Sequence, residues 1–533
     1  MIKQKNFIIG SLNKKKTLFC LTIEAFLDII YYFIPFSFTF LLTMPFTLEK
    51  ASLVAGIFIT SKLLRTFGNY FERHVMDNYL YEYGNTLYYK YYEKLLKLPV
   101  PSLLNYQTGY LENVIQKIVV IVQKLLTVEY IGVIISFSTF FYTVFNQSKG
   151  LFIIAFLDSI LCIYLSVRIL KKANNTVEKL YETENEYFSI YQDYISNIRT
   201  VKSINNNAYF LDKIKKVGTK TYKANSKYVK CYSKEEIIRN FLILLPFALA
   251  IIKAVIDLSY GMDTLGIITF YISIFIEMGF IFDQVSSTII SGFELKALNK
   301  KVRVLFKNQD SRKQTASFKT IKLQDVNIHY KDVLFSIKVP NLIITKNDRI
   351  CIMGKSGQGK TTILNLLLGN IEDYSGVLTI DNISFNNTKL DIGLISQEIE
   401  LFNMSIKDNI CLGVKIKHEE LINYLKELDL EDILLFENGL DTIVGEKGLK
   451  LSTGQKRRIN LLRSYLQNKE IYILDEPTSN LDKETEAIVV DFILKYFRDK
   501  TLIIATHNEE IRKACNQFYI IENHTLSQEN KIK

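Results

Sequence analysis

Gly354-Lys355-Ser356-Gly357-Gln358-Gly359-Lys360-Thr361-Thr362 fits the pattern G-x-x-x-x-G-K-[ST]. The apolar run Arg349 to Met353 precedes it and a second, Ile363 to Leu368, follows. The order reads as strand, glycine-rich loop, helix. Glycines in such a loop let backbone N–H groups turn inward around a phosphate chain, and the helix N-terminus adds a partial positive charge. Gly354, Ser356, Gly357, Gly359 and Thr362 are therefore expected to line the phosphates, with Lys360 reaching the terminal ones. The Thr361 hydroxyl suits Mg²⁺.

Two stretches downstream extend this chemistry. Ile471-Tyr472-Ile473-Leu474-Asp475-Glu476 reads as a buried strand ending in two carboxylates. Such a strand holds Asp475 beside the phosphate loop, where it helps to order Mg²⁺. Glu476 is then placed to polarise an attacking water as general base. Leu451-Ser452-Thr453-Gly454-Gln455 precedes a basic helix that opens with Lys456, Arg457 and Arg458. Ser452 can cap that helix, and a capped N-terminus is a second anion site. One phosphate loop and two anion sites suggest that the second serves a nucleotide held by another subunit.

The totals divide the 533 residues in two. The chain is 48% apolar and 23% charged, with a mean hydropathy of +0.10, which suggests one apolar part and one ordinary globular part. Residues 1–318 hold 38 Lys+Arg against 24 Asp+Glu, and residues 319–533 hold 28 against 31. The formal charge of +11 thus belongs to the first part, which argues against a nucleic-acid partner for the second. Six scattered cysteines without a C-x-x-C pair indicate neither a disulfide framework nor a zinc site. Basic residues precede the first apolar stretch with no small-residue cleavage site after it, the pattern of a retained membrane helix.

Six apolar stretches of the first part are long enough to be read as spans, about 17–42, 51–67, 125–145, 151–170, 241–258 and 265–282. The second is interrupted by Lys62 and Arg65, and Asn146 to Gly150 reads as a tight turn between the third and fourth. The three short loops on one side hold only Lys50 and Lys149, while the opposite side is rich in Lys and Arg. That side is expected to be cytosolic, with both termini and the nucleotide domain. The expected division is a membrane domain at 1–307, a linker at 308–318 and the nucleotide domain at 319–533.

With these motifs in place the chain resembles the ATP-binding cassette (ABC) exporters, whose six-helix membrane domain is fused ahead of the cassette. The fold this implies is an all-α six-helix transmembrane domain followed by an α/β P-loop ATPase. Tyr330 resembles the aromatic residue that stacks on adenine, and Gln397 the glutamine that reaches Mg²⁺ and water. Asp482, in Ser479-Asn480-Leu481-Asp482, resembles the loop that crosses the dimer interface, and His507 the switch histidine at the γ-phosphate. Thr442 to Gly448 is similar to the exporter segment ahead of the signature, to which Ser452, Gly454 and Gln455 belong. Leu98-Pro99 with Tyr106 to Leu111, and Glu186 to Lys202, look like the two coupling regions. Gly261 to Gly266 looks like the turn into the last span. The family's signature usually has glycine where Thr453 stands, so a β-branched residue narrows the approach to the γ-phosphate. With Glu476, His507, Gln397 and Lys360 all in place, hydrolysis is expected to survive.

The resemblance implies ATP and Mg²⁺, a dimer with a second half-transporter (a homodimer or a heterodimer), and alternating access in the plasma membrane. Glu24 and Asp28 are four apart on one helical face, and Asp158, Asp257, Glu277 and Asp283 lie in or near other spans, with Lys253 as the clearest opposing charge. Intramembrane carboxylates usually face a bundle interior or a wet cavity. A negatively biased cavity for a cationic peptide or amphipathic compound is the expectation. An exporter-fold importer of the siderophore type and a lipid flippase are the alternatives.

Overall fold

The computed structural model describes residues 15–19, 22–23, 26, 48–104, 108–126, 130–260, 265–306, 312–315, 317–329, 336–445 and 448–529. Outside them lie most of the span expected at 17–42 with Glu24 and Asp28, and Tyr106 and Gln107 of the first coupling region. Gly261 to Thr264, linker positions 308–311 and 316, Tyr330, Glu446 and Lys447 lie outside them too, and the side chain of Glu277 is likewise not described. The chain divides into two compact units near Asn308.

The first unit is helical, with α1 (Leu48–Leu96), α2 (Val100–Leu104), α3 (Thr108–Leu126), α4 (Tyr130–Gln147), α5 (Lys149–Ser196), α6 (Ile198–Ile204), α7 (Asn207–Ser259) and α8 (Leu265–Leu305). Among the described residues, α5 and α7 are long and apolar enough to cross a membrane. At 1.5 Å per residue, the 48 residues of α5 extend about 72 Å, more than twice the roughly 30 Å of a bilayer's hydrocarbon. Such a helix must run well beyond any bilayer it spans.

The tyrosines of α1 sort by helical phase. Met76, Leu80, Tyr83, Leu87 and Tyr91, spaced three or four apart, are buried, whereas Tyr81, Tyr89 and Tyr92 are exposed. Tyr83, Leu87 and Tyr91 of this row pack with Ile118 of α3 and Leu298 of α8. The turn expected over Asn146 to Gly150 shrinks to Ser148 alone, because its side chain caps α5 by accepting from the Leu151 N–H while its own N–H donates to the Val144 carbonyl. Lys253 Nζ pairs with Asp257 at 2.6 Å, one turn away on the same helix. Among the described cysteines none is bonded to another, and Cys162, Cys351, Cys411 and Cys515 are buried.

The second unit is built on a ten-stranded mixed sheet. Its strands are β2 (Thr320–His329), β3 (Ser336–Thr345), β4 (Arg349–Gly354), β5 (Tyr374–Ile380), β6 (Ile383–Ser384), β8 (Ile392–Ile395), β9 (Ile471–Asp475), β10 (Thr501–Ala505), β11 (Gln517–Glu522) and β12 (Thr525–Glu529). The short β1 (Lys313–Thr315) and β7 (Thr388–Leu390) pair separately. The order is β6-β5-β2-β3-β12-β11-β4-β10-β9-β8. Strands β4, β10, β9 and β8 run parallel as neighbours, β10 between the other two motif strands. Residues on β9 and β10 are all buried, as continuous apolar runs covered on both faces should be. Alternate residues of these strands feed two buried clusters. One includes Leu474 and Ile504 with Ile459, Leu462 and Val490, and the other includes Ile473 and Ile503 with Ile350 and Ile363.

Gly393 on β8 is directly opposite Tyr472 on β9. A Cβ at Gly393 would fall 2.2 Å from the Tyr472 ring, which is fully buried. The ring is pinned at its far end, where the Lys469 N–H donates to its hydroxyl at 2.7 Å. Gly393→Ala is accordingly expected to destabilise the second unit by about 1–3 kcal/mol, the usual cost of overpacking. Thermal unfolding in detergent, wild type against variant, measures it.

Candidate nucleotide site

The four parallel strands bring their carboxyl ends to one edge, where open α/β sheets hold ligands. Strand β4 ends at the phosphate loop, β9 at Asp475 and Glu476, β10 just ahead of His507, and β8 just ahead of Gln397. Register fixes the alignment, since Ala505 lies opposite both Ile352 and Asp475. In the loop Gly354, Gly357 and Gly359 have φ of 150°, 79° and 112°. Gly359 has no substitute, because a Cβ there would lie 2.4 Å from the Ile337 side chain in a backbone region that L residues rarely adopt. Helix α9 (Lys360–Leu367) begins immediately after it.

Lys360 is only 6% exposed. Its Nζ donates to the Gly354 carbonyl at 2.7 Å, lies 3.3 Å from His507 Nε2, and lies 3.6 Å from Glu476 Oε1. Thr361 Oγ1 donates to Asp475 Oδ2 at 2.8 Å, and Gln397 Nε2 donates to Glu476 Oε2 at 3.0 Å. Six expected residues from four strand ends thus meet at one edge. Glu476 has φ 48°, a left-handed conformation costing a side-chain-bearing residue roughly 1–2 kcal/mol. It is held there by its own N–H, which donates to the Ala505 carbonyl at 2.8 Å.

A residue not singled out from sequence supplies the other hold. Arg457 is 3% exposed, and its guanidinium donates through Nη1 to the Glu476 carbonyl at 2.7 Å and through Nη2 to the Gln397 carbonyl at 3.1 Å. It spans the two segments whose side chains meet at Glu476. It lies on α10 (Thr453–Leu466), which is buried without a break from Arg457 to Leu462, so helical phase does not single it out and the sequence carries no signal for it beyond the basic run.

The oxygens of Thr361 and Asp475 meet in a setting that fits a hard divalent cation. Burial pushes the Asp475 carboxyl above its usual pKa, while the bond from Thr361 pulls the other way. A carboxylate that is costly to ionise is one that a bound cation would relieve.

The signature residues stand apart from this group. Ser452 and Gln455 form a reciprocal capping box at the start of α10, and Gln455 also donates to Asp432. Asp482 caps the helix Lys483–Tyr496 by accepting from Thr485. Among the described residues Ser452, Gly454, Gln455 and Asp482 make no hydrogen bond to the phosphate loop, Asp475 or Glu476. A Cβ at Gly454 would lie 3.6 Å from Thr485 Cγ2, so the signature helix starts beside the Asp482 cap. Thr453 is not among the residues with positive φ, so its backbone does not need glycine and only its bulk departs from the family pattern.

Residues 337–479 match the ABC transporter family, and residues 17–280 match the ABC transporter transmembrane region. The chain belongs to the ABC transporters. Its cassette is an ATP-binding ATPase domain fused behind a membrane domain. A "Probable ABC transporter ATP-binding/permease protein" of Haemophilus influenzae is 25% identical over 465 residues, 82% of each chain. The "Uncharacterized ABC transporter ATP-binding protein YwjA" of Bacillus subtilis is 32% identical over 219 residues, a match spanning 38% of either chain. The fold is similar to that of a bacterial Atm1-family ABC exporter solved with ATP bound, with a TM-score of 0.80, 19% identity, and coverage of 97% of this chain and 95% of that one.

Two outcomes are expected of this ABC transporter's site. Arg457→Lys should lower kcat while leaving the KM for ATP nearly unchanged, because one ammonium cannot reproduce a fork across two carbonyls; steady-state ATPase assays decide it. Asp475→Asn should raise the unfolding temperature of the nucleotide-free protein at neutral pH. An acid whose folded pKa is raised costs stability above that pKa, and the cost fades as pH falls. The advantage of the variant should therefore shrink on acidification, as thermal scans across pH would show.

Proposed function

We propose that this chain is one half of a dimeric, ATP-driven exporter that moves an amphipathic compound or peptide by alternating access. The observation that carries this reading is the meeting of Lys360, Thr361, Asp475, Glu476, Gln397 and His507 at one sheet edge, on a chain that also carries a membrane domain. In this reading the stretches 17–42, 51–67, 125–145, 151–170, 241–258 and 265–282 are the spans. The cassette and both termini face the cytosol of a cell whose plasma membrane holds the protein.

The roles in this reading are those the motifs and the family resemblance imply, supported by the geometry where it is described. Gly354, Ser356, Gly357, Gly359, Lys360 and Thr362 take the phosphates of ATP, and Tyr330 stacks on its adenine. Glu476 accepts a proton from the attacking water, oriented for this by Gln397, and His507 contacts the γ-phosphate from the end of β10. Thr361 and Asp475, with Gln397 beside them, would hold Mg²⁺, which when bound offsets phosphate charge. Because Ser452, Gly454, Gln455 and Asp482 stand apart from these residues within one chain, they suit the site of a second copy. Export is favoured over uptake by the likeness to an exporter fold. Lys253 pairs with Asp257 and Arg239 with Asp283, so of the carboxylates expected at a substrate cavity these two pairs leave Glu24, Asp28, Asp158 and Glu277.

Glu476→Gln should lower ATP hydrolysis in lipid by about 10²–10⁴-fold, the usual contribution of a general base, while ATP binding persists. Equal turnover in variant and wild type would refute the assignment. In inverted vesicles the wild type should accumulate an amphipathic cationic dye on addition of ATP, and ATP-dependent loss of dye would show import instead.

A further inference from the structure

Asp158 lies on α5 within the apolar stretch 151–170 and is 9% exposed. Among the described residues it has no hydrogen bond or ion pair. Its buried neighbours along the helix, Ala155 and Cys162, pack in an apolar cluster with Ala250 and Ala254 of α7 and Met278 and Ile281 of α8. An ionised carboxylate without a partner in such a setting costs several kcal/mol. It is relieved by a cation, by water or by a proton. Among the described residues no cationic side chain pairs with it, and its apolar neighbours favour the neutral, protonated acid over a hydrated carboxylate.

The same face of α5 continues at four-residue intervals through Cys162 to Ser166, all buried. Ser166 Oγ donates to Glu235 Oε1 of α7 at 2.7 Å, and Ser286 Oγ of α8 donates to the same oxygen at 2.8 Å. Arg239 Nε lies 3.5 Å from it, and Arg239 Nη2 pairs with Asp283 of α8, whose side chain is 61% exposed. Glu235 and Arg239 are themselves 1% and 4% exposed, yet Glu235 Oε2 and Arg239 Nη1 have no hydrogen-bond partner among the described residues. Ser166, Glu235, Arg239 and Asp283 thus form a polar run that ends on one exposed carboxylate, with the Cys162 thiol between that run and Asp158.

The charges around Asp158 can be named element by element. Helix α4 carries no Asp, Glu, Lys, Arg or His. Helix α7 brings Glu235 and Arg239 at one level and the mutually paired Lys253 and Asp257 at another. Helix α8 brings Asp283, occupied by Arg239, and carries Glu277 in its sequence. Helix α3 meets α5 through Lys117 and Glu184, far toward the end of α5.

We propose that Asp158 is a proton-binding site inside the membrane domain, exchanging with the cytosolic side through Ser166, Glu235 and Asp283. One proton leaves hydronium in the aqueous phase and adds to a carboxylate oxygen of Asp158, giving the neutral acid; no other bond changes. The proposal rests on the reading that residues 151–170 lie in a bilayer. Resistance of the full-length protein to alkaline extraction tests that reading separately. The site gives an ATP-driven cycle a second, pH-linked input.

The test is infrared spectroscopy of the full-length protein in lipid nanodiscs at neutral pH. Wild type should show the carbonyl stretch of a protonated carboxylic acid, Asp158→Asn should lose it, and Asp158→Glu should retain it at a shifted frequency. On transfer to D₂O the band should move more slowly in Glu235→Gln than in wild type. No such band in wild type, or an unchanged band in Asp158→Asn, would overturn the proton site. Equal exchange in Glu235→Gln and wild type would overturn the route.

Discussion

The ammonium of Lys360 has given up nearly all of its water, and the cassette is arranged to make that tolerable. A buried cation needs several oxygen or nitrogen partners at once. Lys360 finds them in a loop carbonyl, a histidine and a glutamate that come from three different strand ends. Those ends coincide only because β4, β10 and β9 are parallel neighbours in register. The sheet order, the glycine conformations of the loop and the strained backbone of Glu476 all serve one requirement. Charges brought out of water must be near enough to share and still free to turn toward a phosphate.

Arg457 shows how such an arrangement is kept rigid. The side chains of Gln397 and Glu476 meet through a single hydrogen bond, which by itself is worth little. One guanidinium behind them fixes both backbones at once. The charge is internal and its partners are carbonyl dipoles, so the brace adds no competing carboxylate near the reacting atoms.

Much of this was legible in the chain. The phosphate loop, the Asp475–Glu476 strand end and the capped helix at Ser452 are local patterns, and local patterns survive without knowledge of the fold. The brace at Arg457 was not legible as such, because Lys456-Arg457-Arg458 reads as one basic patch and only the fold buries Arg457 and Arg458. The turn at 146–150 read too long for a different reason. Polar composition marked five residues as loop, but the capping hydrogen bond of Ser148 lets both helices use the other four. Likewise Lys253 looked like a charge facing several carboxylates, whereas one turn of helix assigns it to Asp257. The last two differences come from spacing along a helix, which composition does not encode.

The one-residue link at Ser148 has a mechanical meaning. A connection with no spare residues leaves no slack for α4 and α5 to slide along one another, so the pair behaves as a stiff hairpin. From its closed end, α5 runs about 72 Å without a break at 1.5 Å per residue. A body of that shape is a lever with its short arm folded back. A small tilt at Ser148 becomes a displacement many times larger at Ser196, and a push at Ser196 returns to Ser148 as torque.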